Sequence, residues 1–254
     1  MILFVFEGKE REPELFRTLQ RLYFPKDNDT IVCSFGNNLY ELYHELNEYG
    51  EDGDIVAILK DKMTGKENNP LVNVERTSDF SEIYLFFDYD FHHKNLSLEE
   101  INQQVSDLLL MFNDETDKGK LYINYPMIES IRYTKELPDP NYHRYIVTRK
   151  DCLSFKALVH TFSAYPSLDF VFLKDDKPTK EKYLSVHDNW KYLTEQNIKK
   201  ANFICNDTLT FPTNKRSISQ DIIFRSQLSK YVYTDKNTVS ILNAFPLFLY
   251  EYFK

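Results

Sequence analysis

The stretch EIYLFFDYDFH, from Glu82 to His92, sets the fold class. Ile83 to Phe87 are apolar or aromatic without alternation, the pattern of a strand buried on both faces, and such strands belong to parallel sheets covered by helices. Asp88-Tyr89-Asp90 then ends the run with charge. Working outward, Ile2 to Glu7 (ILFVFE) and Thr30 to Phe35 (TIVCSF) read the same way, as does Lys120 to Tyr125 (KLYINY).

Helical periodicity fills the gaps between these strands. Glu12-Pro13 opens a helix in which Leu15, Phe16, Leu19, Leu22 and Tyr23 share a face. Leu39 to Tyr49 forms the next, and Asp54 caps a short helix running to Lys62. Lys60 to Ser78 reads as a loop. Ser97-Leu-Glu-Glu is a capping box that starts a helix ending at Phe112, and Pro126 begins another. This alternation predicts an α/β domain over residues 1–135, a mostly parallel sheet flanked by helices. Residues 136–254 change character. Asp151 to Phe162, Thr179 to Leu193, Ser219 to Tyr231 and Asn237 to Tyr252 read as helices of a C-terminal subdomain packed on the first.

Bulk composition bounds the function. The 254 residues carry 42% hydrophobic residues, enough for a proper core, and a net charge of −8. The charge is uneven: residues 1–135 hold 14 Lys/Arg against 26 Asp/Glu, whereas residues 136–254 hold 17 against 13. Three scattered cysteines, Cys33, Cys152 and Cys205, have no metal-binding spacing and point to a reduced, cytoplasmic setting. The apolar start is too short for a signal peptide or a membrane span. The apolar stretch from Val239 to Phe253 is interrupted by Asn243, Pro246 and Glu251, as in a packed terminal helix.

Candidate chemistry lies at the strand ends, where open α/β sheets collect function. Glu7 ends the first strand. If the strand from Glu82 persists to Asp90, then Asp88 and Asp90, two residues apart, point to the same face. Three carboxylates brought together there repel unless a cation neutralises them, and an all-oxygen set suits Mg²⁺ or Mn²⁺. Taken singly, an Asp-x-Asp after an apolar strand also begins ordinary polar loops, and that reading stays open. Lys9 and Arg11 beside Glu7, and Lys94 beyond Asp90, are candidates to neutralise a phosphate, with simple charge balance as the alternative.

The order Glu-Gly at one strand end and Asp-x-Asp at a later one resembles the TOPRIM domain of topoisomerases, bacterial primases and OLD-family nucleases. The local sequence is similar to RloB-like phage-defence proteins in three places. These are Glu7-Gly8 followed by Glu12-Pro13 and Phe16, the Asp88-Tyr89-Asp90 element, and Asn124-Tyr125-Pro126-Met127-Ile128-Glu129. The broad plan is also similar to AriB-like effectors that work beside an ATPase. The resemblance covers residues 1–135. It implies an Mg²⁺- or Mn²⁺-dependent nuclease acting on DNA or RNA, tRNA included, in antiviral defence. Glu7, Glu12, Asp88 and Asp90 would hold the metal, Glu129 would be a fifth member or orient the others, and Lys9 would assist. It also implies a nucleic-acid partner and an ATPase partner protein, with self-association left open. His92 and His93 depart from the pattern and read equally as metal or phosphate contacts and as exposed loop residues.

In the second half, Arg144, Arg149, Lys150, Lys199, Lys200, Lys215 and Arg216 are candidate contacts to a nucleic-acid backbone. Tyr142, His143 and Tyr145 are candidate base-stacking groups, with core packing as the alternative. A competing function is a TOPRIM-fold regulatory or nucleic-acid-binding subunit without catalysis. The size and the lack of a zinc-binding cysteine set argue against a topoisomerase or a primase. A phosphoacceptor receiver domain does not account for the Glu-Gly and Asn-x-Pro-x-x-Glu elements.

Overall fold

A computed structural model describes residues 1–25, 29–50 and 54–253. The chain is an α/β protein built on a five-stranded sheet of order β2-β1-β3-β5-β4, with β1 at Ile2–Phe6, β2 at Thr30–Ser34, β3 at Glu82–Asp88, β4 at Asn113–Asp114 and β5 at Gly119–Asn124. β1 pairs in parallel with both β2 and β3. The dipeptide β4, which runs antiparallel to β5, has no sequence signal of its own. It forms because the chain leaving helix α4 (Leu98–Met111) turns straight back along β5.

The chain divides into two compact units, Met1–Phe87 with Ser97–Leu121, and Asp88–Leu96 with Tyr122–Lys254. The division falls at the end of β3 and within β5, so the segment after β3 goes with the second unit.

In the first unit, register explains the core. Phe4 and Phe6 of β1 stand opposite Tyr84 and Phe86 of β3, with ring centroids 5.3 and 5.2 Å apart. Helix α1 (Arg11–Tyr23) lays Phe16 over both, 3.9 Å from the Phe4 ring and 5.5 Å from that of Phe6. Such same-face aromatic clusters dominate core energetics. Pro13 lies in the third position of α1 rather than the first, still within the turn whose N–H groups need no helical acceptor. Helices α2 (Leu39–Glu48) and α3 (Ile55–Met63) form as expected, and Asp54 caps α3 by accepting the Val56 N–H at 2.8 Å. Ser97 and Glu100 close the capping box of α4 reciprocally. Gly119 sits at φ +121° with Leu85 Cδ1 2.8 Å from where a Cβ would stand, so only glycine fits there.

The second unit is helical but not wholly so. The expected helix over Asp151 to Phe162 is two, α5 (Arg149–Cys152) and α6 (Phe155–Phe162). Helix α7 runs from Lys180 to Asn206, well past Leu193, and buries Val186, Trp190, Leu193, Ile198, Ala201 and Ile204. Helix α8 spans Gln220–Gln227 and passes into a π-helical turn, Leu228–Val232. Residues 237–243 are not helical. Thr238–Ser240 is strand β7, antiparallel to β6 (Ile146–Thr148). Buried Gln227 reinforces it, accepting the Ser240 N–H at 2.9 Å and donating to its carbonyl at 2.7 Å. Asn243 then caps the last helix, α9 (Ala244–Tyr252), whose first six residues are buried. No helix among the described residues is long and apolar enough to cross a membrane.

Candidate functional site

The sheet order places the topological switch at β1, since the chain goes from β1 to β2 on one side and returns to β3 on the other. Open α/β sheets bind ligands at the carboxyl ends of the strands flanking such a switch. The candidate acids stand in two sets.

The first set belongs to the first unit. Glu7 follows β1, and its backbone is pinned on both sides: its N–H donates to Phe86 O at 3.0 Å and its carbonyl accepts the Gly36 N–H at 2.9 Å. Glu12, in the first turn of α1, is 6% exposed and folds its carboxylate back to accept the Gly8 N–H at 3.1 Å. A Cβ on Gly8 would stand 2.6 Å from Glu12 Oε2, so a larger residue there displaces the end of that side chain. Gly8→Ala is expected to expel that carboxylate and cost about 1–3 kcal/mol, read as a lowered urea midpoint. Lys9 is exposed, and its stem lies against Gly36.

The second set belongs to the second unit. β3 ends at Asp88, so the strand does not persist to Asp90. The reason is hydrogen bonding: the Asp90 N–H donates to Pro126 O at 3.1 Å and the Asp90 carbonyl accepts the His93 N–H at 2.8 Å, closing a turn. Asp90 sits in the left-handed region at φ 42°, which costs a non-glycine residue energy and is tolerated best by Asn and Asp. Asp88 is 8% exposed, and its Oδ1 accepts from Asn124 Nδ2 at 2.9 Å. Asn124 Oδ1 in turn accepts the Ala244 N–H at 2.9 Å, which fixes which end of the amide faces the acid.

Glu129 lies on a 3₁₀ turn, Ile128–Arg132, rather than on the helix expected after Pro126; the carbonyls of Arg132 and Thr134 accept instead from Ser163 Oγ and the Ala164 N–H. Its carboxylate is 2% exposed and stands 3.6 Å from Lys156 Nζ. Burial pushes the Asp90 carboxyl up to about 6, with Lys156 pulling it down and Glu129 pushing it further up. Lys156 is thus a cation within electrostatic reach of both acids. No motif marked it, because it sits on α6, far from either acid in sequence. His92 Nδ1 is 3.9 Å from Asp90 Oδ1. Burial, His93, Arg149 and Lys94 together lower the His92 pKa.

Oxygen donors of this kind suit a hard divalent cation. As placed, no three His, Cys, Asp or Glu side chains among the described residues form a group able to hold an ion. Asp88 is instead tied to Asn124, and Glu129 to Lys156.

Several candidates of the second half have structural work. Lys200 is fully buried and donates to the carbonyls of Tyr142 and Tyr145, so it cannot reach a nucleic acid. Tyr142 is buried against Asn197, and Tyr145 bonds Asp139. Lys215 caps the end of α9 through Tyr250 O, and Lys199 pairs with Glu195 at 2.6 Å. Arg149 and Lys150 remain directed to a cleft, described below. Burial raises all three thiols, to about 12 for Cys33 and about 11 for Cys205, so they are unreactive near neutrality. Comparison with protein-family models, with curated proteins and with solved structures gives no match to this chain.

Proposed function

We propose that the chain is a divalent-metal-dependent nuclease of TOPRIM type that hydrolyses phosphodiester bonds of DNA or RNA. The observation that carries this reading is the Asp90 turn. A carboxylate is held in a left-handed backbone conformation, near buried Glu129, with its proton affinity raised toward neutrality. Strain and electrostatic cost gathered on one acid beside a strand end are the mark of a functional position. Asp88, Asp90 and Glu129 would hold Mg²⁺ or Mn²⁺; Glu7 and Glu12, in the first unit, are proposed as metal ligands only from the motif they share with RloB-like proteins. The cation would supply charge neutralisation at the scissile phosphate and a lowered pKa for the attacking water.

The chain's own groups do the rest. Asp90, bound to the cation, would serve as a ligand rather than as the base, and the attacking water gives its proton to solvent as the hydroxyl adds to phosphorus. The P–O bond to the leaving sugar oxygen breaks and that oxygen takes a proton, leaving a phosphate monoester and a free hydroxyl. Lys156 offsets negative charge beside the acids. Lys9 would offset charge beside Glu7 in the first unit. Asn124 holds the Asp88 carboxylate in one orientation. The setting proposed is cytoplasmic antiviral defence, with an ATPase as the controlling partner.

The test compares wild type and Asp88→Ala on DNA, RNA and tRNA with Mg²⁺ or Mn²⁺, with and without a co-expressed ATPase. Wild type is expected to cleave at least one of these, and the variant about 100-fold or more slowly. Equal rates would overturn the assignment. A second reading, a catalytically silent nucleic-acid-binding or regulatory subunit, is favoured by the lack of a closed donor group among the described residues. It predicts that neither cation raises the melting temperature, whereas a bound ion stabilises the folded state by mass action.

A further inference from the structure

The second unit contains an open trough of about 540 Å³ that the proposed chemistry has not used. Three separate segments build it. The turn after β3 gives His92, His93 and Lys94, α5 gives Arg149 and Lys150, and the turn before β7 gives Lys236. Four side chains permanently charged at neutral pH line it, and no carboxylate does. None of the four forms an ion pair with a carboxylate among the described residues, and Lys94, Lys150 and Lys236 are exposed.

This is unusual for the chain. Acids outnumber bases by 39 to 31, and many other basic groups are paired, as Lys62 is with Glu45, Lys174 with Asp169 and Arg225 with Asp221. Gathering unpaired like charges on one concave surface raises the energy of the free protein and creates a positive potential focused in the trough. Arg149 is also held in place: its Nε donates to Phe91 O at 2.8 Å and its backbone N–H to Asn237 O at 2.8 Å. Its two terminal nitrogens have no protein acceptor among the described residues, and a guanidinium so fixed suits bidentate contact with a phosphate.

Shape and lining select the ligand. A small nucleotide calls for a pocket that encloses most of its surface, whereas this trough is broad and open. It presents no Phe, Tyr or Trp ring on which a base could stack. Cations without a stacking platform read a backbone, not a sequence. One end of the trough meets the candidate acids, since His92 lines it and stands 3.9 Å from Asp90. We propose that Lys94, Arg149, Lys150 and Lys236 bind consecutive phosphates of a nucleic-acid strand, independent of sequence, and lead one of them to Asp90. The role at Asp90 rests on the nuclease reading. The binding of the strand does not.

The experiment is fluorescence anisotropy of the full chain with labelled oligo(dT) and oligo(U) in EDTA, so that no cleavage intervenes. With four phosphate contacts, affinity for a single strand is expected to fall about 50-fold between about 50 and 200 mM salt. In the triple variant K94Q/K150Q/K236Q one contact remains, and the same change in salt should cost about threefold. Binding at low salt should weaken at least about tenfold. A control triple, K177Q/K180Q/K191Q, changes net charge equally at exposed positions on and before α7 and should bind like wild type. Fluorescence of Trp190, the only tryptophan, checks that both variants fold.

The trough assignment is overturned if K94Q/K150Q/K236Q keeps the affinity and salt slope of wild type, or if the control weakens binding as much. It is also overturned if ATP or pyrophosphate binds where neither oligonucleotide does. If binding depends on the three lysines but no condition yields cleavage, strand binding stands and only the nuclease reading falls.

Discussion

Asn124→Ala is expected to destabilise the second unit by about 3–5 kcal/mol, through two hydrogen bonds lost at once. Asp88 Oδ1 loses the Asn124 amide donor, and a hydrogen bond to a charged group is worth about 1.5–3 kcal/mol. The Ala244 N–H, on the first residue of α9 and fully buried, loses its acceptor. A first-turn N–H has no helical partner to fall back on, and leaving it unsatisfied costs about 1–3 kcal/mol more. Asn124→Asp separates the two halves. It keeps an acceptor for Ala244 but sets a second carboxylate against Asp88, so its penalty should grow as pH rises through the carboxylate range. Urea unfolding followed by Trp190 fluorescence reads both variants, because Trp190 is buried in this unit on α7. Wild-type stability in Asn124→Ala would show that the amide does not orient the acid.

The second large effect has the opposite sign. Asp90→Asn is expected to stabilise the protein at pH 7 and leave it unchanged near pH 3.5. The folded-state carboxyl titrates near 6, above its ordinary value of 3.8. Between those values the native state binds more protons than the unfolded chain, so stability falls as pH rises. The penalty is absent below 3.8 and complete above about 6. It amounts to about 3 kcal/mol at most, from the equivalence of one pKa step to 1.36 kcal/mol. Asn removes the charge, keeps the shape and tolerates the left-handed backbone at φ 42°. Melting curves of the two proteins should therefore separate with increasing pH. Mg²⁺ should raise the wild-type midpoint more than that of the variant. Parallel curves at all pH values would show that Asp90 is not electrostatically strained. A residue that costs stability while ionised is what an acid kept for chemistry looks like.

Much of the fold was legible in the sequence. β3 starts at Glu82 as its sequence suggests, because Ile83 to Phe87 form a run that only a strand covered on both faces can bury, but it ends at Asp88 and does not run on to Asp90. The Ser97–Glu100 capping box and the Asp54 cap were equally readable, since each is a contact between residues two or three apart. What escaped was long-range. β7 looked helical because its apolar residues run on into α9, and its strand pairing depends on β6, about 90 residues earlier. The helix expected after Pro126 gave way to distant partners as well: the carbonyls of Arg132 and Thr134 accept from Ser163 Oγ and the Ala164 N–H.

The candidate site divides along the same line. The sequence by itself determined that acids end β1 and β3, that Gly8 precedes Glu12 by one helical turn, and that Asn124 and Glu129 flank Pro126. Each of these is fixed by neighbours along the chain. Only the tertiary structure decided the rest. It set β1 beside β3, bent Asp90 out of the strand, and turned Asn124 between Asp88 and Ala244. It also brought Lys156 to Glu129, buried Lys200 out of reach, and gathered Lys94, Arg149, Lys150 and Lys236 from three segments onto one trough. Charge signals carry no address: a lysine reads alike in sequence whether it caps a buried turn, pairs on a surface or faces a phosphate. Its surroundings, supplied by residues far away in the chain, make the difference.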